Sequence, residues 1–342
     1  MTTIKPLAYR VSDNLTKELS IFIGGDTLLG DAAQKILDKQ GYVYPFKYLD
    51  QIYKSADVRS FNLESPVSQN AKKLEMEKDY IYNMPPQVLD VFKQKGFNVF
   101  YLANNHMTDY GHEGLLETIT HLNKNSMLAI GAGRNKSEAR RALVIRKGNI
   151  KVALLNYMSF RKSYHEKYQH FASKNHSGVA ALSRTAVQND IKALRKIGIN
   201  TIIVSIHWGI NYEPVSEKQL LEAKMVVKAG ADIIVGHGSH QYQPIRILDG
   251  VPVFFSVGNF IFNTPGRSPL TYGFPITLHF NKSGLVRADI WPIHTNNKII
   301  KFQPRHLSGK EAYEAIHELY TNSNLNGVKK EIDFNKGVLF FK

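Results

Sequence analysis

A chain of 342 residues can bury a sizeable core, and 43% hydrophobic with 21% charged residues reads as globular rather than disordered. It contains no cysteine, which excludes disulfides, thiolate metal ligands and a cysteine nucleophile. Lys and Arg number 44 against 29 Asp and Glu, so the net charge of +15 favours anionic partners.

In chain order, strand-like and helix-like runs alternate. LSIFIGG (19–25) is an apolar run ending in glycines, as a buried strand does before a loop. DAAQKILDKQ and FKYLDQIYK carry helical spacing, and SADVRSFNLES returns to a strand. PPQVLDVFKQKG opens on prolines and closes on Gly96, as a helix does, and NVFYLA is the next strand. EGLLETITHLNKN is an amphipathic helix, followed by the strand and turn SMLAIGAG. KVALLNYMSF (151–160) is a further strand, and the polar segment after it shows no periodicity until about residue 178. Ser183 caps the helix SRTAVQNDIKALRKIG, and TIIVSIHWG is a strand. EKQLLEAKMVVKAG is a helix ending on Gly230, and ADIIVGHGSH is a strand. Then the pattern changes: Asp249-Gly250 lies between two β-rich runs as a hairpin turn. TYGFPITLHF and LVRADIWPIH add antiparallel strands, and SGKEAYEAIHELYTNSN is a closing helix. The alternation followed by β-rich sequence predicts a mixed α/β layered core. One domain over 1–342 is expected, with a core of about 19–300 and a C-terminal helix and tail over 308–342.

The opening MTTIKPLAYRVSDNLTKELS has no apolar core of signal-peptide length, and no run approaches the roughly 20 apolar residues of a membrane helix. As given, the chain reads as cytoplasmic, with an extracytoplasmic place as the alternative if an anchor precedes residue 1. The basic residues are spread in short groups such as Lys72-Lys73, Arg140-Arg141 and Lys329-Lys330, with no basic tail. That dispersal, without interleaved aromatics, argues against nucleic acid as the partner.

In open α/β sheets ligands collect beyond the carboxyl ends of the strands. Asp26 follows IFIGG, Glu64 ends RSFNL, and Asn104, Asn105 and His106 follow FYLA. His207 follows IIVSI, His237 and His240 follow DIIVG, and Asn259 follows FFSVG. Each alone has a plain structural reading: Asp26 a turn residue, Glu64 a helix-entry charge, His207 a hydrogen-bonded core histidine. Repetition at successive strand ends carries more. Two carboxylates, an amide oxygen and three imidazoles suit Zn²⁺, Mn²⁺ or Fe better than Mg²⁺ or Ca²⁺. The set suffices for one ion, or for two sharing a carboxylate. His106 would be the neighbouring acid, protonating a leaving oxygen or holding an anion.

GGDTLLGD, FNLESPV, LANNHMTDYGHEGLLET, GAGRNKSEA, SIHWG, AGADIIVGHGSHQYQPI and FSVGNFIF stand in the order and spacing of the CapA family. The chain thus resembles the poly-γ-glutamate or capsule synthesis proteins, related to calcineurin-like metallophosphoesterases, from about residue 19 to 263. The resemblance implies a four-layer αββα sandwich with a metal centre between the edges of two sheets. It implies Asp26 as a first-metal ligand, Glu64 as a bridging carboxylate, and Asn105, His207, His237 and His240 as further ligands. It makes His106 the catalytic or substrate-binding group, Asp109 the acid that orients it, and Asn259 a supporting residue. The chain also departs from the pattern. Leu28 stands where a ligand histidine is usual, Asn211 replaces a glutamate that Glu213 only approximates, and Ser239 replaces a proline. Leu28 leaves room for a single ion. The expected activity is metal-dependent hydrolysis, through a metal-activated water, of a phosphoester or an amide bond in an anionic small molecule or polymer. The alternative is a non-catalytic component that binds an anionic polymer during its synthesis or export. A nuclease ranks third.

Overall fold

The computed structural model describes residues 5–12, 18–75, 78–262 and 272–341. Parts of the opening segment read for a leader, and Thr271 at the head of one expected strand, lie outside them.

Two large sheets pack face to face. The first runs, edge to edge, Leu7–Arg10, Leu143–Lys147, Ile150–Ser159, Thr201–His207, Ile233–His237, Val251–Val257 and Tyr242–Leu248. Its centre is parallel: Thr201–His207 pairs in parallel with both neighbours, with His207 opposite Met158 on one side and His237 on the other. The second sheet runs Lys329–Ile332, Gly337–Phe340, Gly284–Ile290, Ile276–Asn281, Leu19–Leu28, Val58–Leu63, Val99–Tyr101 and Leu128–Ile130. The short strand Asn259–Phe262 also pairs with Leu19–Leu28.

Alternation along the strands builds the layers, because successive side chains point to opposite faces. Leu19, Ile21 and Ile23 meet Val152, Leu154, Ile203 and Val235 in the core between the sheets. Phe22, Phe61 and Phe100 face the other way, packing on Leu37, Val88, Phe92 and Leu115 from helices over the second sheet. Ala153, Leu155, Ile202 and Val204 pack outward on Val187, Ile191, Leu194 and Val226 of the helices Arg184–Lys196 and Glu217–Lys228. The result is a four-layer αββα sandwich, as the family resemblance implies.

Local signals behave as their chemistry dictates. Ser183 accepts from the Ala186 amide as an N-cap, and Ser216 forms a capping box with Gln219. Asp249 and Gly250 take φ of 48° and 81°, the left-handed pair that a two-residue hairpin turn needs. Three elements differ from the sequence reading. Lys162–Tyr168 is a helix within the segment that shows no periodicity, and Leu7–Arg10 is an edge strand. The 308–342 region is a helix, Gly309–Thr321, followed by the paired strands Lys329–Ile332 and Gly337–Phe340 rather than a tail. Among the described residues no helix is long and apolar enough to cross a membrane.

Candidate metal centre

The carboxyl ends of both sheets meet at one place. Asp26 lies near the end of Leu19–Leu28, and Glu64 follows Val58–Leu63 directly. His207 and His237 each end a strand of the other sheet, and His240 lies in the turn after His237. Oxygen and nitrogen atoms of Asp26, Glu64 and His207 all fall within 4.8 Å of one another. His207 Nε2 is 3.8 Å from Glu64 Oε1. His240 stands between the carboxylates, Nδ1 3.4 Å from Asp26 Oδ2 and Nε2 3.5 Å from Glu64 Oε1. His237 Nδ1 is 3.9 Å from Asp26 Oδ1. All five side chains are buried.

Backbone geometry enforces this approach. A Cβ on Gly25 would lie 1.8 Å from the Gly258 carbonyl oxygen, so only glycine lets the Asn259–Phe262 strand pass beside Asp26. Gly238, at φ +99°, gives its N–H to Asp26 Oδ2 at 3.0 Å, and a Cβ there would meet the His207 ring at 2.6 Å. His240 itself sits at φ 56°, a conformation that costs a non-glycine residue energy and gathers at functional sites. Asn259 Oδ1 lies 3.1 Å from His240 Nδ1 and so supports that ring.

Asn62 is a participant that the sequence reading passed over. Its amide nitrogen reaches Asp26 Oδ1 at 2.8 Å and Glu64 Oε2 at 3.1 Å, joining the two carboxylates. Asn104 donates to Asn62 Oδ1 and to the Leu63 carbonyl, and its own Oδ1 accepts from the His106 amide. Asn104 is therefore the tie between two strand ends. Spacing offered a signal: Asn62 is two residues before Glu64, on the same strand face.

Asn105 and His106 lie in the loop after Val99–Tyr101. Asp109 Oδ2 is 2.6 Å from His106 Nδ1 and also accepts the Tyr82 amide, while Oδ1 accepts Lys78 Nζ at 2.6 Å. The ionised carboxyl only accepts, so His106 carries its proton on Nδ1 and leaves Nε2 for another partner. Tyr82 covers the imidazole, ring centroids 4.4 Å apart. Lys78 also donates to the Asn105 carbonyl at 2.6 Å. His170 locks the loop from outside, with Nε2 donating to the Asn104 carbonyl and Nδ1 accepting from Thr108 Oγ1. Burial holds His170 far below the usual histidine range, at about 3, so it acts as a neutral strut. Lys78, Tyr82 and His170 stood in no recognisable motif; tertiary packing alone brings them here.

The electrostatics follow from burial. Burial would raise the Asp26 pKa, but the His240 hydrogen bond and the neighbouring imidazoles outweigh it and hold it below the carboxylate range. Burial, reinforced by the Asp26 charge, pushes Glu64 well up. Burial lowers His207 strongly and His237 to about 4. It lowers His106 as well, beyond what the Asp109 charge restores. The cluster thus sets two buried carboxyls beside His207 and His237, whose imidazoles burial drives towards neutrality. Among the described residues, Glu64 Oε1, Asn105 Oδ1 and both ring nitrogens of His237 are buried without a hydrogen-bond partner. Such groups are costly unless something satisfies them. A divalent cation fits: the unsatisfied oxygens and one ring nitrogen of neutral His237 offer lone pairs, and the donor set is mixed oxygen and nitrogen. Leu28 is fully buried in the apolar core over the second sheet and supplies no ligand.

Fold and site together define a four-layer αββα sandwich with a buried carboxylate–imidazole cluster where its two sheets meet. Residues 20–264 match the family described as bacterial capsule synthesis protein PGA_cap, and the chain belongs to that family. It is 29% identical over 278 residues to the PGA biosynthesis protein CapA of Bacillus subtilis (strain 168), covering 80% of this chain and 71% of that one. It is 28% identical over 297 residues to the capsule biosynthesis protein CapA of Bacillus anthracis, covering 85% and 70%. Among solved structures, a novel phosphatase of Mycoplasma pneumoniae aligns with a TM-score of 0.48 at 12% identity, over 83% of this chain and 96% of that one.

Proposed function

We propose that this protein is a metal-dependent hydrolase acting on a phosphoester or an amide bond of an anionic substrate. The observation that carries this reading is the set of lone pairs buried, among the described residues, without partners where two sheets meet: on Glu64 Oε1, Asn105 Oδ1 and one His237 ring nitrogen. Asp26, Glu64, Asn105, His207, His237 and His240 would hold one or two ions of Zn, Mn or Fe. A bound ion supplies a Lewis acid that polarises the scissile bond and activates water. Asn62 keeps the carboxylates in register, and Gly238 donates to Asp26 from the backbone. In this reading Asp109 fixes the tautomer of His106, whose Nε2 then exchanges a proton or hydrogen bond with the leaving group. The surplus positive charge draws an anionic substrate to the site.

A second reading is a non-catalytic component that binds an anionic polymer during its synthesis or export. Two observations favour it: the +15 charge, and a relative in Mycobacterium tuberculosis (strain CDC 1551 / Oshkosh) whose name is that of a probable polyglutamine synthesis accessory protein. Metal analysis of the purified protein, with Asp26→Ala and His207→Ala, separates the two when joined to turnover of bis(p-nitrophenyl) phosphate and γ-glutamyl p-nitroanilide. Bound metal that falls in both variants, with hydrolysis of either probe falling alongside, supports the hydrolase. Protein that takes up neither Zn²⁺ nor Mn²⁺ yet binds a polyanion leaves the second reading standing.

A further inference from the structure

Lys78 reaches the loop after Val99–Tyr101 at two points. Its Nζ donates to the Asn105 carbonyl and to Asp109 Oδ1, both at 2.6 Å. The side chain is only 8% exposed, and the Tyr164 ring lies 5.1 Å from Nζ. The peptide unit joining Asn105 to His106 is thereby held at both polar atoms: its carbonyl accepts from Lys78, and its N–H donates to Asn104 Oδ1 at 3.2 Å. A peptide unit is planar, so pinning both atoms fixes the frame from which the Asn105 and His106 side chains project. The turn's own bond, from the Asp109 N–H to the His106 carbonyl, belongs to the next peptide unit and does not hold this one. Asp109 in turn orients His106 through Nδ1 at 2.6 Å. One ammonium therefore bears on Asn105, whose Oδ1 is buried without a partner among the described residues, and on the His106 imidazole.

A neutral donor could make the same two hydrogen bonds. It would leave the buried Asp109 carboxylate without a full charge beside it, and such a carboxylate is costly. We propose that Lys78 is a positioning residue of this centre, holding the Asn105–His106 peptide so that the Asn105 amide oxygen serves the metal and the imidazole serves the substrate. The metal half stands without the hydrolase reading; the substrate half rests on it.

The chain has no cysteine, so Lys78→Cys offers a single thiol. Alkylated before refolding, bromoethylamine restores an ammonium at lysine length, and iodoacetamide leaves a neutral adduct. Zn²⁺ affinity, measured by competition with a chelating dye, is expected to fall about tenfold in the neutral adduct and to return with the ammonium, tenfold being the lower end for a lost outer hydrogen bond at a metal site. Lys78→Met, expressed directly, is expected to show the same loss without refolding. In an Asn105→Ala background Lys78→Met is expected to cost less than about twofold more, because it acts through a ligand already removed. Turnover of bis(p-nitrophenyl) phosphate or γ-glutamyl p-nitroanilide is expected to lose kcat in Lys78→Met and the neutral adduct with KM little changed, and to recover with the ammonium. Full Zn²⁺ affinity in Lys78→Met, a loss that the restored ammonium does not repair, or additive losses with Asn105→Ala overturns the proposal. Wild-type protein that binds Zn²⁺ but hydrolyses neither probe overturns the hydrolase reading instead, and the Zn²⁺ measurements still decide for or against Lys78.

Discussion

Asn62 joins Asp26 to Glu64 through one amide nitrogen, and two buried carboxyls that close need such a bridge. Asn62→Ala is expected to weaken metal binding about 10–100-fold, the scale of lost outer hydrogen bonds at metal sites. Competition with a chelating dye measures it, and unchanged affinity would remove Asn62 from the site. His106 is the complementary case, because it contacts Asp109 rather than the two carboxylates. His106→Asn is expected to keep its metal while turnover falls by about 10²–10⁴, the range for a lost acid–base group. Metal analysis beside steady-state rates separates the two effects; metal loss in the variant would make His106 a ligand instead. Asp26, Glu64 and His207 were legible in the sequence because each ends a predicted strand. Asn62 was not, because its role depends on a neighbour that only the folded sheet brings within 3 Å of it.

At the scale of elements, the loop 104–110 and the C-terminal hairpin show how local signals fall short. The loop's fixed shape comes from His170, more than 60 residues on, and from Lys78 and Tyr82. The hairpin strands Lys329–Ile332 and Gly337–Phe340 are short, and the first is mostly exposed, so no long apolar alternation marked them. Asp289 helps to fasten the hairpin: it accepts from Lys336 Nζ at 2.9 Å and lies 3.2 Å from His279 Nε2. Burial would raise its pKa, but His279 and Lys336 outweigh that and hold it below the usual value. A carboxyl lowered on folding stabilises above its unfolded pKa of about 3.9 and loses that contribution as pH falls through the folded value. Asp289→Asn is expected to cost about 1.5 kcal/mol at pH 7 and progressively less below about pH 4. Urea unfolding at both pH values checks it, and a pH-independent difference would assign the loss to packing.

For the whole molecule, the cluster lies where the two sheets meet, the second bringing buried carboxyls and the first buried imidazoles. A cation held there binds the folded chain and not the unfolded one, so it stabilises by mass action, by about 2.7 kcal/mol at a hundredfold excess over its Kd. Chelation is therefore expected to lower the thermal midpoint, with restoration on adding Zn²⁺ or Mn²⁺. An unmoved midpoint in protein shown to lose metal would mean that the sheets do not depend on it. The αββα layering itself follows from the alternation of Ile21, Phe22 and Ile23, which sends one strand's side chains into two different cores. What the sequence determined alone was which residues stand at strand ends, because hydrophobic period and turn chemistry are local. Tertiary structure decided which ends meet, that Leu28 packs into apolar core, and that Asn62 bridges the two carboxyls while Lys78 and His170 hold the 104–110 loop. Those outcomes depend on contacts between segments far apart in the chain, and residue type carries no record of such distances.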